Sequence, residues 1–306
     1  MSKVVVVKNA GIRPVKKLAV DQYRLLLETG LGALFDRKPA SAALSTMFPG
    51  GVVGMKTNCL TRKLNSTPKS LTDAISEMLE DSGIKANNVV VWERTNRELA
   101  DAGFELNASS FGRRCMGTDT NGLGYGRTFY NSGEVNSLIS RILTDVIDRN
   151  INIPVLKDHS IAGLSGGLKN MYGAIHNPNK YHIPNCNPHA AHISNLEPIR
   201  KKNRLTIIDA IRVQYNSGPG FDSRYLEYFG GILLSTDPVA VDRVGLEILE
   251  HCRLMNKLPA LEQVGRPVKY LKSADAIGLG MERFEEIDLQ VLAVDENGAA
   301  RPGELF

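Results

Sequence analysis

Short, uninterrupted apolar runs recur along the chain and predict buried β-strands. The first is the valine run at 4–7, and the run at 89–92 has the same β-branched character. Continuous apolar runs of this length, bounded by polar or turn residues, are typical of strands covered on both faces. The predicted strands are 4–7, 52–56, 89–92, 151–156, 205–208 and 287–294.

Apolar residues at helical spacing separate several of these strands. A Thr-Pro pair at 67–68 begins one predicted helix, which ends at Gly83, and an Asp-Pro pair at 237–238 begins another. A further helical face is predicted over 138–147. Because strand, helix and strand follow one another, the pattern favours βαβ units. The predicted fold class is α/β and Rossmann-like, a mainly parallel sheet with flanking helices.

The segment 105–134 departs from this pattern, because it is rich in glycine, serine, asparagine and arginine and has weak periodicity. We interpret it as a long loop region, and long loops inside compact domains are often functional. No repeat or low-complexity linker divides the chain. The whole of 1–306 is therefore predicted to be a single α/β unit.

Composition narrows the class of protein. The chain has 306 residues, of which 42% are hydrophobic and 23% are charged, and its formal net charge is +4. So mild and dispersed a charge does not predict binding to nucleic acid or to a membrane surface. No apolar stretch approaches the roughly 20 residues that span a bilayer, and the N-terminal residues lack the features of a signal peptide. We therefore expect a cytoplasmic location, and the sequence leaves the oligomeric state open.

Cysteine spacing restricts the redox chemistry that the chain can support. The four cysteines do not form a Cys-x-x-Cys pair, so they predict neither a disulfide framework nor a local iron–sulfur motif. Four thiols that meet in space remain an alternative, and a buried, inert thiol is favoured for the last of them. The cysteines are Cys59, Cys115, Cys186 and Cys252.

Histidine is concentrated in one segment. Five of the six histidines lie between 159 and 192, where an even distribution would place fewer than one. Neutral imidazole is a common metal ligand and suits nickel, zinc, copper and iron. The cluster therefore predicts a divalent-metal site, with His176 and His182 as candidate ligands. The alternative for each histidine is a capping or hydrogen-bonding role in a polar loop.

A glycine-rich turn within 163–170 lies inside the same segment and carries a lysine. Its glycines let the backbone approach a ligand closely, and its N–H groups can hold an anion. Lys169 is a candidate for phosphate binding, for proton transfer with a lowered pKa, or for covalent attachment of a carbonyl-bearing cofactor. The candidate cofactor-binding residues are Lys169, Ser165, Gly166, Gly167 and Asn170.

Polar residues follow several of the predicted strands. His159 lies just beyond the strand at 151–156, and Arg62, Glu93 and Asp209 follow three other strands. Functional residues favour the carboxyl ends of parallel strands. We therefore predict that these side chains converge at one edge of the sheet, where Arg62 can hold a substrate carboxylate with two hydrogen bonds.

Four motifs stand out together. They are Lys-Thr-Asn at 56–58, Pro-Val-Leu-Lys-Asp-His at 154–159, Gly-Leu-Lys-Asn-Met-Tyr-Gly at 167–173 and Ser-Thr-Asp-Pro-Val-Ala-Val-Asp at 235–242. Over about 50–245 the chain resembles the family of the domain of unknown function three-six-two. That family is commonly associated with iron–sulfur proteins, and some members carry a ferredoxin module. The resemblance therefore implies an iron–sulfur cluster as one candidate cofactor.

A second, fainter pattern runs from His159 through Ser-Gly-Gly-Leu-Lys at 165–169 to His182, with Thr-Arg at 61–62. It is similar to the racemases of lactate and related 2-hydroxy acids, which carry a nickel pincer nucleotide joined covalently to a lysine. The roles that this resemblance implies are cofactor attachment for Lys169, nickel binding for His182, acid–base catalysis for His159 and carboxylate binding for Arg62.

Three functions remain open from the sequence. The favoured one is a metal- or cofactor-dependent enzyme acting on a small carboxylate, either a racemase- or epimerase-like isomerase or an oxidoreductase. It predicts that Lys169, His159, His182 and Arg62 share one pocket. The second is an iron–sulfur redox or electron-transfer accessory protein, which requires three of the four cysteines to meet. The third is a non-catalytic metal- or nucleotide-binding protein, which predicts exposed histidines and no pocket around Lys169.

Overall fold

One large sheet organises the structure. In residues 2–10, 18–36 and 38–306, which the computed structural model describes, eleven strands join this sheet and two more form a separate hairpin. The strands are β1 (Lys3–Asn9), β2 (Val53–Lys56), β3 (Val89–Glu93), β4 (Arg114–Gly117), β5 (Tyr130–Ser132), β6 (Val135–Ser137), β7 (Arg149–Asn152), β8 (Val155–His159), β9 (Gly163–Ser165), β10 (Asn203–Gln214), β11 (Leu226–Ser235), β12 (Asp288–Val294) and β13 (Ala300–Pro302). The helices are α1 (Val20–Leu34), α2 (Ala40–Met47), α3 (Lys69–Asp81), α4 (Asn96–Ala102), α5 (Gly167–Asn170), α6 (His189–Ser194), α7 (Glu197–Lys202), α8 (Pro238–Met255) and α9 (Tyr270–Ala276).

The strand order is β13-β12-β1-β11-β10-β7-β2-β3-β4, and the β8–β9 hairpin is attached through β8, which pairs with β10. The run from β10 to β4 is parallel, as are β1 with β12 and β8 with β10. Strand β11 is antiparallel to both of its neighbours and joins the two parallel parts. The prediction of an α/β fold with a mainly parallel sheet and flanking helices is confirmed.

Both faces of the sheet are covered, as the uninterrupted apolar strands require. Helices α1, α2 and α3 pack on one face, and α5, α6, α8 and α9 contribute to the cores on the other. Along β1, Val5 and Val7 belong to the first core and Val4 and Val6 to a core on the opposite face. This division follows from the alternation of side chains along a strand. Within the described part of the chain, no helix is both long and apolar enough to cross a bilayer.

Two segments differ from the prediction because of backbone constraints. The strand predicted over 151–156 is two strands, β7 and β8, because Pro154 between them has no N–H to continue the pairing. The helix predicted over 138–147 is wrong, since only Ile142–Val146 forms a turn, of the π type. Ile139 instead bridges to Ile175. Its apolar neighbours are buried without a regular helix, and burial alone produced the spacing.

Two further predictions are corrected by the sheet. The segment 105–134 contains the edge strand β4 and the hairpin strand β5, so it is not loop throughout. The strand predicted over 205–208 continues as β10 to Gln214. Asp209 therefore lies inside a strand, where its carboxylate accepts a hydrogen bond from the hydroxyl of Tyr23 at 3.2 Å.

Candidate functional site

The β8–β9 hairpin forms one wall of a cavity at the carboxyl edge of the parallel strands. Lys157 and His159 alternate with Asp158 along β8 and belong to the cavity wall, and Ser165 of β9 is paired opposite Lys157. The ends of β2 and β3 bring Lys56 and Glu93 to the same edge. The cavity measures about 600 Å³, which is within the range of small-molecule sites.

The glycine-rich turn before α5 carries Lys169 to this cavity. The fully buried carboxylate of Asp242 in α8 accepts hydrogen bonds from the backbone N–H of Gly167 at 2.6 Å and of Leu168 at 3.0 Å. A Cβ atom at Gly166 would lie 2.4 Å from Asp242 Oδ1, so the close approach requires glycine. Burial raises the pKa of Asp242 to about 7, against the effect of the two N–H donors. Asp242 therefore fixes the turn that positions Lys169.

Lys169 and His182 are in direct contact. The distance between Lys169 Nζ and His182 Nε2 is 3.1 Å, and His182 Nδ1 lies 3.0 Å from the carbonyl oxygen of Pro178. Because a carbonyl only accepts, Nδ1 carries the proton and Nε2 turns its lone pair towards Lys169. The ammonium also lies 3.7 Å from the ring centre of Tyr172.

Burial lowers the pKa of Lys169 to about 8. Burial also lowers the pKa of His182, and the charge of Lys169 adds to that effect. Near neutral pH the proton of this pair therefore stays on Lys169, and His182 Nε2 accepts its hydrogen bond.

His159 has the opposite tautomer. Its Nδ1 accepts hydrogen bonds from the backbone N–H groups of Ile161 and Ala162, at 3.1 and 3.2 Å, so the proton of the neutral ring is on Nε2. Burial lowers the pKa of His159 to about 3, and the charges of the neighbouring lysines add to this effect. The ring centres of His159 and His182 are 5.9 Å apart. The two histidines thus offer a hydrogen-bond donor and an acceptor side by side.

Four cationic residues belong to the cavity wall, and two of them are neutralised by carboxylates. Lys56 Nζ lies 2.5 Å from Glu93 Oε1, and Arg94 pairs with Glu98. Lys157 and Lys169 have no carboxylate within 4.0 Å in the part of the chain that the structure describes. The wall is therefore positive when both lysines are protonated.

Lys157 is held by amide groups. Its Nζ donates to Asn58 Oδ1 at 2.9 Å and to the carbonyl oxygen of Asn65 at 3.3 Å. Asn58 Nδ2 donates in turn to Asn170 Oδ1 at 3.3 Å, and Asn170 Nδ2 donates to Asn152 Oδ1 at 2.7 Å. Burial lowers the pKa of Lys157 to about 8. Asn58 thus links this lysine to Asn170, the residue beside Lys169, and Asn152 anchors Asn170 from the other side.

The structure brings most of the predicted site residues to one place. The cavity wall contains His159, Lys169, His182, Ser165, Gly166 and Asn170. Gly167 lies behind the wall, where its N–H binds Asp242.

Two predicted residues lie elsewhere. The side chain of Arg62 is 68% exposed, and its Nε lies 3.8 Å from a carboxylate oxygen of Asp101. His176 is exposed and packs edge-on against Tyr125, with ring centres 5.0 Å apart. Neither residue is part of the cavity wall. The predicted meeting of Arg62 with the lysine and the two histidines does not occur in the structure.

The cysteines do not meet. Cys59 and Cys115 belong to the core under α1, α2 and α3, Cys186 to the core around α6, and Cys252 to the core around α8. Burial raises the pKa of all four thiols. Among the residues described, no group of three or more His, Cys, Asp or Glu side chains is arranged to hold a metal ion. The condition for an iron–sulfur cluster, three thiolates at one point, is not met.

Sequence reasoning did not single out Asn58 or Tyr172. Tyr172 lies three residues after Lys169, a spacing that places two side chains on the same face of a helical turn. Asn58 follows β2 by two residues, at the edge where the other polar residues were expected. The spacing of Tyr172 and the strand-end position of Asn58 could therefore have indicated a place in the site. Asn58 lies inside the motif at 56–58 and Tyr172 inside the motif at 167–173.

Comparison with known proteins places most of the chain in a protein family. Residues 53–247 match the model of the domain of unknown function DUF362. A crystal structure of a Thermotoga maritima protein is similar at a TM-score of 0.40 and 13% sequence identity, over 81% of this chain and 61% of that one. The chain thus spans less than two thirds of that protein's length. No curated protein matches the chain.

Proposed function

The chain belongs to the family of the domain of unknown function DUF362, and we propose that this member is an isomerase of the racemase or epimerase type acting on a small carboxylate. In this proposal Lys169 removes the proton on the carbon next to the carboxylate. The observation that carries the proposal is the 3.1 Å contact between Lys169 Nζ and His182 Nε2 in a cavity of small-molecule size.

The contact supplies a base, Lys169, and a hydrogen-bond acceptor, His182, that orients it. A lysine is an effective base when its pKa lies near the working pH, and burial lowers that of Lys169 to about 8. The C–H bond of the substrate breaks, an N–H bond forms at Lys169 Nζ, and the electron pair moves onto the carboxylate as an enolate. His182 Nε2 accepts a hydrogen bond from the resulting ammonium and so holds it in place. Return of a proton by Lys169 to the same face regenerates the substrate with exchange of its proton, whereas delivery of a proton by a water molecule on the opposite face inverts the configuration; neither step needs an oxidant.

Negative charge that builds on the substrate oxygens requires nearby donors and cations. His159 is suited to donate through Nε2–H, because its Nδ1 is engaged by two backbone N–H groups. A pKa of about 3 keeps the ring neutral at pH 7, so it polarises an oxygen without titrating. This supports a role for His159 as a hydrogen-bond donor to the carboxylate.

Exchange of the substrate α-proton for deuterium tests the proposal. We expect the protein to catalyse this exchange in D₂O for at least one of lactate, alanine and malate, observed by proton NMR. Lys169→Met and His182→Gln should each slow it by about 100-fold or more, the usual contribution of acid–base catalysis. Exchange that survives Lys169→Met at the wild-type rate would remove Lys169 from the mechanism.

The matched controls are Lys180→Met and His176→Gln. Lys180 also lies over a tyrosine ring, 5.4 Å from the centre of Tyr181, but it is exposed and outside the cavity wall. His176 is the exposed counterpart of His182. Both control variants should exchange the α-proton at the wild-type rate.

A second candidate is favoured by the same contact. An amine beside the lone pair of an imidazole is the pair that a covalently attached nickel pincer nucleotide requires, with Lys169 as the attachment point and His182 as a nickel ligand. When bound, such a cofactor supplies a hydride acceptor. Protein purified from its native host would then show an adduct on Lys169 by mass spectrometry and nickel near one atom per chain by elemental analysis. A metal-free chain of unmodified mass favours the proton-transfer mechanism.

A further inference from the structure

Lys157 occupies a position that the proton transfer does not explain. It belongs to the cavity wall, yet its side chain is 0% exposed and no carboxylate of the described chain lies within 4.0 Å of its ammonium. We propose that Lys157 is the residue that makes the cavity select an anionic ligand over a neutral one of the same shape, through its field and through the orientation that it imposes on Asn58. The choice of a small carboxylate as that anion rests on the proposed function.

The other cations of the wall are unsuited to this task. Glu93 neutralises Lys56, and Glu98 pairs with Arg94. Lys169 is in contact with His182, and as a base it acts in its neutral form. Lys157 is thus the cation of the wall that has neither a carboxylate partner nor a part in the proposed proton transfer.

An uncompensated buried ammonium is unfavourable for folding, since desolvation is not repaid by an ion pair. The same low-dielectric surroundings make its field strong at short range. A buried charge without a counter-ion that borders a cavity is a common feature of ligand sites. The protein therefore carries in Lys157 a charge that an anionic ligand would balance.

Asn58 transmits this charge to the cavity. Its Oδ1 accepts from Lys157 Nζ, so the amide nitrogen faces the other way and donates to Asn170 Oδ1. Asn170 is fixed in turn by its own bond to Asn152. Because Lys157 is closed off from solvent, it is a positioning residue, and Asn58, which is partly exposed and lines the cavity, presents a donor to the ligand.

Calorimetric titration with butanoate and with butanamide tests the inference, because the two ligands have the same shape and differ in charge. The full-length protein should bind butanoate at least about 10-fold tighter at pH 7, as expected for a buried cation within several ångströms. Lys157→Met keeps an unbranched side chain that is one atom shorter and removes its charge, so it should abolish most of this ratio. The surface control Lys180→Met should retain the ratio.

A second variant guards against misfolding of the first. Asn58→Asp is nearly isosteric and puts a carboxylate at the position 2.9 Å from Lys157 Nζ. It should also abolish the preference for butanoate, while circular dichroism reports that the fold is retained.

The outcomes separate this inference from the proposed function. If Lys157→Met and Asn58→Asp weaken both ligands equally, Lys157 has only a structural role and the inference is wrong. If the wild type binds butanoate no better than butanamide, the inference fails while α-proton exchange still stands or falls by itself. A retained preference for butanoate without any α-proton exchange would leave the inference intact and overturn the isomerase.

Discussion

The two faces of β8 treat buried charge in opposite ways. Asp158 points away from the cavity and receives Arg266 Nη1 on both carboxylate oxygens, at 2.7 and 2.9 Å, while Arg253 Nη1 lies 3.9 Å away. The residues on either side of it, Lys157 and His159, face the cavity and have amide or backbone partners instead of carboxylates. Along this strand the charge of Asp158 is thus compensated on one face, while the charge of Lys157 has no carboxylate partner on the other.

One face of β8 holds the strand in place, and the other face presents the side chains that we propose act on a ligand. The ion pairs of Asp158 tie β8 to the segment before α9 and to α8, so the strand that carries the site is fixed from behind. Burial raises the pKa of Asp158 even though both arginines oppose it, which shows how much its ionised form depends on them. On the cavity side the charge of Lys157 lacks such a partner, which costs stability and leaves it to be balanced by a ligand.

The largest effect is expected on the compensated face. Asp158→Ala leaves Arg253 and Arg266 without their buried partner, and breaking such a pair typically costs about 3–5 kcal/mol. Urea unfolding measures this cost. The control is Glu197→Ala, because the pair between Glu197 and Lys201 is exposed and should contribute less than about 1 kcal/mol. If Asp158→Ala lowers the free energy of unfolding as little as the control does, the ion pairs of Asp158 do not stabilise β8 and the contrast between its two faces is wrong.

The uncompensated charge of Lys157 should make the free energy of unfolding depend on pH. The pKa of Lys157 is about 8 in the folded chain and 10.5 in the unfolded one, so the unfolded chain binds more protons between these values. The free energy of unfolding of the wild type should therefore rise with pH in this window. Relative to Lys157→Met, the rise should be on the order of 3 kcal/mol.

Guanidinium unfolding at pH 7, 8, 9 and 10 measures this difference. Lys180→Met serves as the reference, because Lys180 is exposed and its replacement should leave the curve parallel to that of the wild type. Parallel curves for Lys157→Met as well would show that the buried ammonium carries no desolvation cost.

A smaller effect is expected where a paired carboxylate supports the cavity itself. In Asp242→Asn one oxygen still accepts from Gly167, but an NH₂ group faces the N–H of Leu168. One buried donor left without an acceptor costs about 1–3 kcal/mol. The same change should loosen the turn and slow α-proton exchange, because Lys169 lies one residue further on. Unfolding and exchange measured on one preparation test both effects, and exchange at the wild-type rate would show that the turn holds without Asp242.

The sequence predicted the sheet better than its connections. Strands such as β1, β3 and β12 are continuous apolar runs, so their burial on both faces is visible in the residues themselves. Helix α8 was predictable from Asp237, whose carboxylate caps it by accepting from Val239 and Ala240. The false helix at 138–147 arose because apolar spacing indicates burial, and burial there comes from the core that the segment shares with α6 and α7 rather than from a regular helix.

The site was predictable where its residues are close in sequence. The turn at 165–170 and the nearby histidines lie within one segment, so their chemistry could be recognised together. Lys157 and Asn58 are 99 residues apart, and only the pairing of β8 with β10 and of β2 with β7 brings them to hydrogen-bond distance. The prediction for Arg62 failed for a different reason. A position shortly after β2 does not determine the direction in which the side chain points.

Arg62→Ala should have the smallest effect of all, and this separates the geometry from the sequence pattern. Arg62 is 68% exposed, and its contact with Asp101 at 3.8 Å is a surface pair. Such pairs contribute about 0–1 kcal/mol, so its removal should change the free energy of unfolding by less than that and leave butanoate affinity and α-proton exchange unaltered. A loss of butanoate affinity of 10-fold or more, with normal stability, would mean that Arg62 turns into the cavity when a carboxylate binds. The charge that holds the ligand would then come from the rim of the cavity as well as from β8.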